Sequence, residues 1–113
     1  NYPIYFHCQI GRDRTGTLAF MLNGLLGVDY GNLCMDYELS CFSEAGCLDY
    51  DDKTKQVERM ISNTEGMRIY FVKYATSKKY DGDDAFHFGL EAFLLDNGLT
   101  QSEISAIRDI MLK

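Results

Sequence analysis

Several things are scarce in this chain. Its 113 residues include no tryptophan and a single proline, Pro3. No apolar run is long enough to cross a bilayer, so no membrane span is expected. Basic residues are the minority, with 11 Lys and Arg against 17 Asp and Glu, a formal net charge of −6. That balance argues against a broad surface for nucleic acid or anionic membrane, yet leaves room for a small positive pocket. The four cysteines, Cys8, Cys34, Cys41 and Cys47, lack the paired close spacing of a zinc site. No metal and no cofactor are expected. The cysteines read as packed thiols rather than a disulfide framework, which leans toward a reducing compartment. There is also no initiating Met: the chain opens with Asn1 and shows no signal peptide. A cytoplasmic location is slightly favoured, and secreted or periplasmic locations stay open because an N-terminal part is expected to be missing.

What is present is ordinary for a globular protein, at 46% hydrophobic and 25% charged residues. The length allows one domain with a modest core. "YPIYFHC", residues 2–8, mixes aromatic and β-branched residues and reads as a short buried strand. After a loop, "RTGTLAFMLNGLL" is apolar on nearly every side, which predicts a buried helix over 14–26, stopped by Gly27. Asp29 is the N-cap expected for a helix over 30–43, with a stripe of Tyr30, Leu33, Cys34, Tyr37 and Cys41. An acidic loop follows over 43–52. A third helix is expected over 53–63, with Val57, Met60 and Ile61 inward. "MRIYFVKYA", 67–75, is ambiguous and is assigned as helix. "KKYDGDD" is a turn. Asp84 then caps a helix to Asp96 with Phe86, Leu90, Phe93 and Leu94 on one face. The last helix is announced by Thr100 and Glu103 as a capping box, with Ile104, Ile107 and Met111 at helical spacing.

One strand cannot satisfy its backbone hydrogen bonds alone, so its partners are expected upstream of Asn1. The fold class read from this inventory is α/β. Residues 1–113 would be the C-terminal part of a single domain, mainly its helical half, with a strand and a loop at the start.

The chemistry concentrates in that loop, "HCQIGRDRTG", residues 7–16. A helix N-terminus presents unpaired N–H groups and a partial positive charge. A loop curling into it aims N–H groups, here of Gln9, Ile10, Gly11, Arg12, Asp13 and Arg14, at one point, which suits a tetrahedral anion. Gly11 and Gly16 let the backbone bend and approach closely. Arg14 adds a planar fork for two phosphate oxygens. Cys8 sits at the entrance, where the same field favours thiolate; cysteines in such settings ionise at roughly 3.5–7.5 rather than about 8.5. Thr15 is placed to donate its hydroxyl to the sulfur when it leaves. The implied reaction is attack on phosphorus, a phosphocysteine, then hydrolysis.

These residues resemble the signature of the cysteine-dependent protein tyrosine phosphatase superfamily: His-Cys, five residues, Arg, then Ser or Thr. The core is similar to the bacterial tyrosine/dual-specificity phosphatases written HCxxGKDRTG, with Arg12 where they usually have lysine. "LLGVDYGNLCMDYELS" and "LLDNGLTQSEISAIRDIML" resemble later stretches of the same proteins; residues 44–80 do not match clearly. The low-molecular-weight phosphatases fit less well, because their Asp-Pro acid near the C-terminus is absent here. The resemblance implies a phosphorylated protein as substrate and inorganic phosphate, sulfate or vanadate as ligands of the loop. It also implies His7 and Gly16 in bracing roles.

Expelling the leaving oxygen benefits from a general acid. In most of the superfamily that is an upstream aspartate. Within this chain Asp13 is the candidate, in likeness to the myotubularin-type phosphoinositide phosphatases; the alternative is that it holds Arg14 or the loop backbone. Arg12 either faces the pocket mouth, where it would meet a second phosphate, or is solvated. Asp49, Asp51 and Asp52 read as a solvated loop, and His87 as packing without a visible partner. Two other functions stay open: a phosphoinositide or inositol-phosphate phosphatase, and a catalytically silent phosphate-binding module.

Overall fold

A computed structural model describes residues 3–9, 11–39 and 53–113, without the side chains of residues 53–57, 59 and 60. Its regular structure is helical: α1 (Arg14–Leu25), α2 (Tyr30–Leu39), α3 (Lys53–Ser77), α4 (Ala85–Asp96) and α5 (Gln101–Met111). The expected strand is not formed among the described residues. Residues 3–8 have no regular structure, and Ile4 and Tyr5 are 87% and 86% exposed rather than buried. No second strand lies among the described residues, so the segment has no ladder to join.

Helix ends follow local chemistry. Gly27, at φ +92, closes α1 as expected. Asp29 accepts from the backbone N–H of Asn32 at 3.1 Å and starts α2, whose expected end beyond Leu39 lies outside the described residues, as do Cys41 and Cys47. The Asp84 carboxylate accepts from the His87 N–H and starts α4. Thr100 and Glu103 complete both bonds of the capping box of α5.

The middle of the chain differs from expectation in two respects. Residues 53–63 and 67–75 are a single helix, α3, of 25 residues. Gly66 sits within it without a break, because one exposed glycine costs a helix only about 1 kcal/mol and the packing of Phe71 and Ala75 against α4 outweighs that. Ile61, expected inward, is exposed.

The core is built where α3 packs along α4, α2 packs against α3, and α1 packs against α2 and α4. Phe20, Leu33, Tyr37, Phe71, Phe86 and Leu90 form one buried cluster. Its rings meet edge to face, with centroids 5.9 Å apart for Phe20 and Phe86 and 6.1 Å for Phe71 and Phe86. At Gly89 a Cβ would lie 1.7 Å from the Phe71 carbonyl oxygen, so α3 and α4 touch backbone to backbone there. Helix α1 is only half enclosed, against the expectation of a wholly buried helix. Leu18 is 48% exposed, and with Met21, Leu22 and Leu25 it borders an apolar groove completed by Leu94, Leu99 and Ile107.

Polar contacts fasten the helices to one another. Arg108 of α5 donates to Leu25 O at 3.0 Å and to the Glu91 carboxylate at 2.9 Å. His87 has partners after all: its ring nitrogens lie 2.8 Å from Asp84 Oδ1 and 2.8 Å from Val28 O. It ties the start of α4 to the α1–α2 connection, a contact between residues 59 apart that no local pattern announces.

Candidate phosphate-binding loop

The loop residues lie directly ahead of α1. Cys8 is a half-buried thiol, and the preceding His7 places Nδ1 3.2 Å from the Cys8 carbonyl oxygen, with its ring beside Tyr5. That is a bracing contact on the backbone around the thiol. Gln9 is exposed, and Ile10 lies outside the described residues. Gly11 takes φ +73, a left-handed conformation that strains any residue with a side chain. It turns the chain toward the end of α1.

The helix is nucleated from within the loop. The N–H of Gly16 donates to Arg12 O at 3.1 Å, and the N–H of Thr17 donates to Asp13 O at 2.8 Å. The Thr17 hydroxyl donates to the same Asp13 oxygen at 2.8 Å. The N–H groups at the extreme end of a helix have no carbonyl of their own, and here they belong to the loop that carries Cys8. Asp13 is the N-cap residue, yet its carboxylate makes no capping bond.

That carboxylate is engaged elsewhere. Arg12 donates through Nε to Asp13 Oδ1 at 3.1 Å and through Nη2 to Oδ2 at 3.2 Å. Arg12 is 5% exposed, so it is neither solvated nor reaching outward. Arg14, the signature arginine, is exposed. Thr15 presents a buried Oγ1 with no hydrogen-bond partner among the described residues. A hydroxyl buried without a partner is costly and is a candidate for an external acceptor or donor.

The first turn of α1, just after the loop, rests on α2, which α3 backs in turn. A Cβ at Gly16 would fall 2.9 Å from the Tyr37 ring, so the glycine lets that ring pack against the first turn of α1. Asn63 of α3 donates to the Tyr37 hydroxyl at 3.5 Å, and Thr64 beside it is buried. Tyr37 was legible as core from its helical stripe. Asn63 was not, because the expected helix ended there.

In this support the Glu65 carboxyl is lowered to about 2. The Arg68 guanidinium is the main cause, and the Tyr30 hydroxyl adds to it. Arg68 Nε and Tyr30 Oη both donate to Glu65 Oε2, each at 3.0 Å. Tyr30 is pushed up, chiefly by burial, then by Cys34 and Glu65. The acidic residues Asp49, Asp51 and Asp52 lie outside the described residues. No cluster of His, Cys, Asp and Glu able to hold a metal ion occurs among the described residues, and no helix there is long and apolar enough to cross a membrane.

A family model, that of the tyrosine phosphatase family, matches residues 1–113, the whole chain. No curated protein and no solved structure matches it.

Proposed function

The chain belongs to the tyrosine phosphatase family, and from that premise we propose that it hydrolyses phosphomonoesters of protein tyrosine, with serine and threonine esters as further substrates, through a phosphocysteine intermediate. The Cys8 thiolate attacks phosphorus, and the S–P bond forms as the bond to the leaving oxygen breaks and that oxygen takes a proton from a general acid. Water then attacks the phosphocysteine, releasing inorganic phosphate and the thiolate. Arg14 and the loop N–H groups hold the equatorial oxygens as charge redistributes. Thr15 donates its hydroxyl to the departing sulfur.

The observation that carries this reading is the placement of Cys8. It is half-buried, six positions before the exposed Arg14, and followed by a left-handed turn at Gly11 into the N-terminus of α1. The orphaned Thr15 hydroxyl supports it. On this reading the exposed apolar segment Pro3–Phe6 is a strand awaiting its neighbours, and residues 1–113 are the C-terminal part of one catalytic domain. Of the two roles open to Asp13, proton donor and loop anchor, the fork of Arg12 favours the anchor.

The test is vanadate-sensitive hydrolysis of a small aryl phosphate by the longest natural form of the protein. Cys8→Ser should abolish turnover while phosphate still binds. Binding without any turnover in the unmodified protein would leave only a phosphate-binding module. An Asp13→Asn loss that grows as the leaving group becomes more basic would restore Asp13 as the acid.

A further inference from the structure

We infer that Arg12 is a positioning residue, which sets the shape of the phosphate-binding loop by gripping the carboxylate of Asp13 rather than by touching substrate. The inference rests on the phosphatase reading above. Its basis is a conjunction of three observations. Arg12 is almost wholly buried, although an arginine next to a glycine in an anion-binding loop has every opportunity to extend outward. Two of its donors, Nε and Nη2, fall on the two oxygens of the neighbouring carboxylate. And the backbone of the same two residues starts α1, because Arg12 O and Asp13 O accept the first helical N–H bonds from Gly16 and Thr17.

The consequence is mechanical. A planar guanidinium on a planar carboxylate fixes distance and orientation together. With adjacent residues locked in this way, the peptide between them has little freedom to rotate. That peptide lies between Gly11, which turns the chain, and Arg14, which carries the fork for the anion. Locking it holds the loop N–H groups in a fixed array before ligand arrives, and preorganisation of donors is what makes such an array effective. Lysine at the same position would supply a point charge without the fork. An aspartate that accepts through both oxygens is also turned away from helix capping, in agreement with the missing capping bond at Asp13.

A double-mutant cycle in the natural full-length protein tests this. The variants are Arg12→Met, Asp13→Asn and the pair, and the readouts are the Kd of orthovanadate and kcat/KM for an aryl phosphate, at a temperature where all are folded. If Arg12 acts through Asp13, each single change weakens vanadate binding by about tenfold, the size expected for groups in direct contact, and the double variant is no worse than the worse single one. Losses that multiply would overturn the inference. So would a loss in Arg12→Met confined to inositol phosphates bearing two adjacent phosphates, since that would place Arg12 on the substrate. Arg12→Gln replaces Arg12→Met in the cycle if the latter fails to fold. Failure of the unmodified protein to bind vanadate would refute the phosphatase reading itself, whereas binding with multiplicative losses refutes only the role of Arg12.

Discussion

Replacing Gly89 by alanine puts the packing of α3 on α4 to a quantitative test. The added Cβ would stand 1.7 Å from the Phe71 carbonyl oxygen, 2.6 Å from its carbon and 3.2 Å from Ala75 N. All three are backbone atoms, so no side-chain rotation relieves the clash. Ordinary contact begins near 3.4 Å, and the helices must separate by about 1.7 Å to reach it. That movement opens the seam beside Phe71, Phe86 and Leu90, three residues of the core cluster. Overpacking of this kind costs about 1–3 kcal/mol and more where backbone must move. Against it stands the better helix propensity of alanine, worth about 1 kcal/mol. The net expectation is a loss of about 2 kcal/mol, read as a lower midpoint in urea denaturation. Gly66→Ala is the matched control. It lies in α3, and nothing is within 4 Å of its Cβ position. The propensity term then acts alone, and that variant should gain about 0.5–1 kcal/mol. A Gly89→Ala protein as stable as Gly66→Ala would refute the close approach of α3 and α4.

Other expectations follow from single contacts. Glu65 is lowered from 4.5 to about 2 by Arg68 and Tyr30, so the folded state prefers its ionised form. Its contribution is fully present above the unfolded value and is lost as pH falls through the folded one. Unfolding midpoints measured from pH 5 down to about 2 should therefore fall less steeply in Glu65→Gln than in the parent, and parallel curves would remove Glu65 from the acid response. Thr100→Ala deletes one bond of the capping box of α5 and should cost about 1 kcal/mol by the same denaturation assay; an unchanged midpoint would show that Arg108 and Ile104 hold α5 without its cap.

The helix ends were legible because capping is a matter of three or four neighbouring residues. Asp84, Thr100 with Glu103, Gly27 and Asp29 each act on N–H or carbonyl groups within one turn of themselves. The loop was legible for the same reason, since Cys8, Gly11, Arg14 and Thr15 are close along the chain. Amphipathic spacing also placed Leu33, Tyr37, Phe86, Leu90 and Ile104 in the core.

What lay beyond the sequence depends on partners distant along the chain. The unbroken course of α3 past Gly66 is decided by its packing on α4, not by local preference. A strand over 2–8 needs a neighbour to bond with, and no pattern of Tyr, Ile and Phe can supply one. His87 read as featureless because Val28 is 59 residues away. Even Arg12 and Asp13, adjacent in the chain, could be read either way until the fold enclosed one of them. The sequence by itself determined the caps, the apolar faces and the loop that carries Cys8 and Arg14, all of which follow from short-range geometry. Tertiary structure alone decided which polar side chains are buried and against what, because burial is a property of surfaces brought together from different parts of the chain.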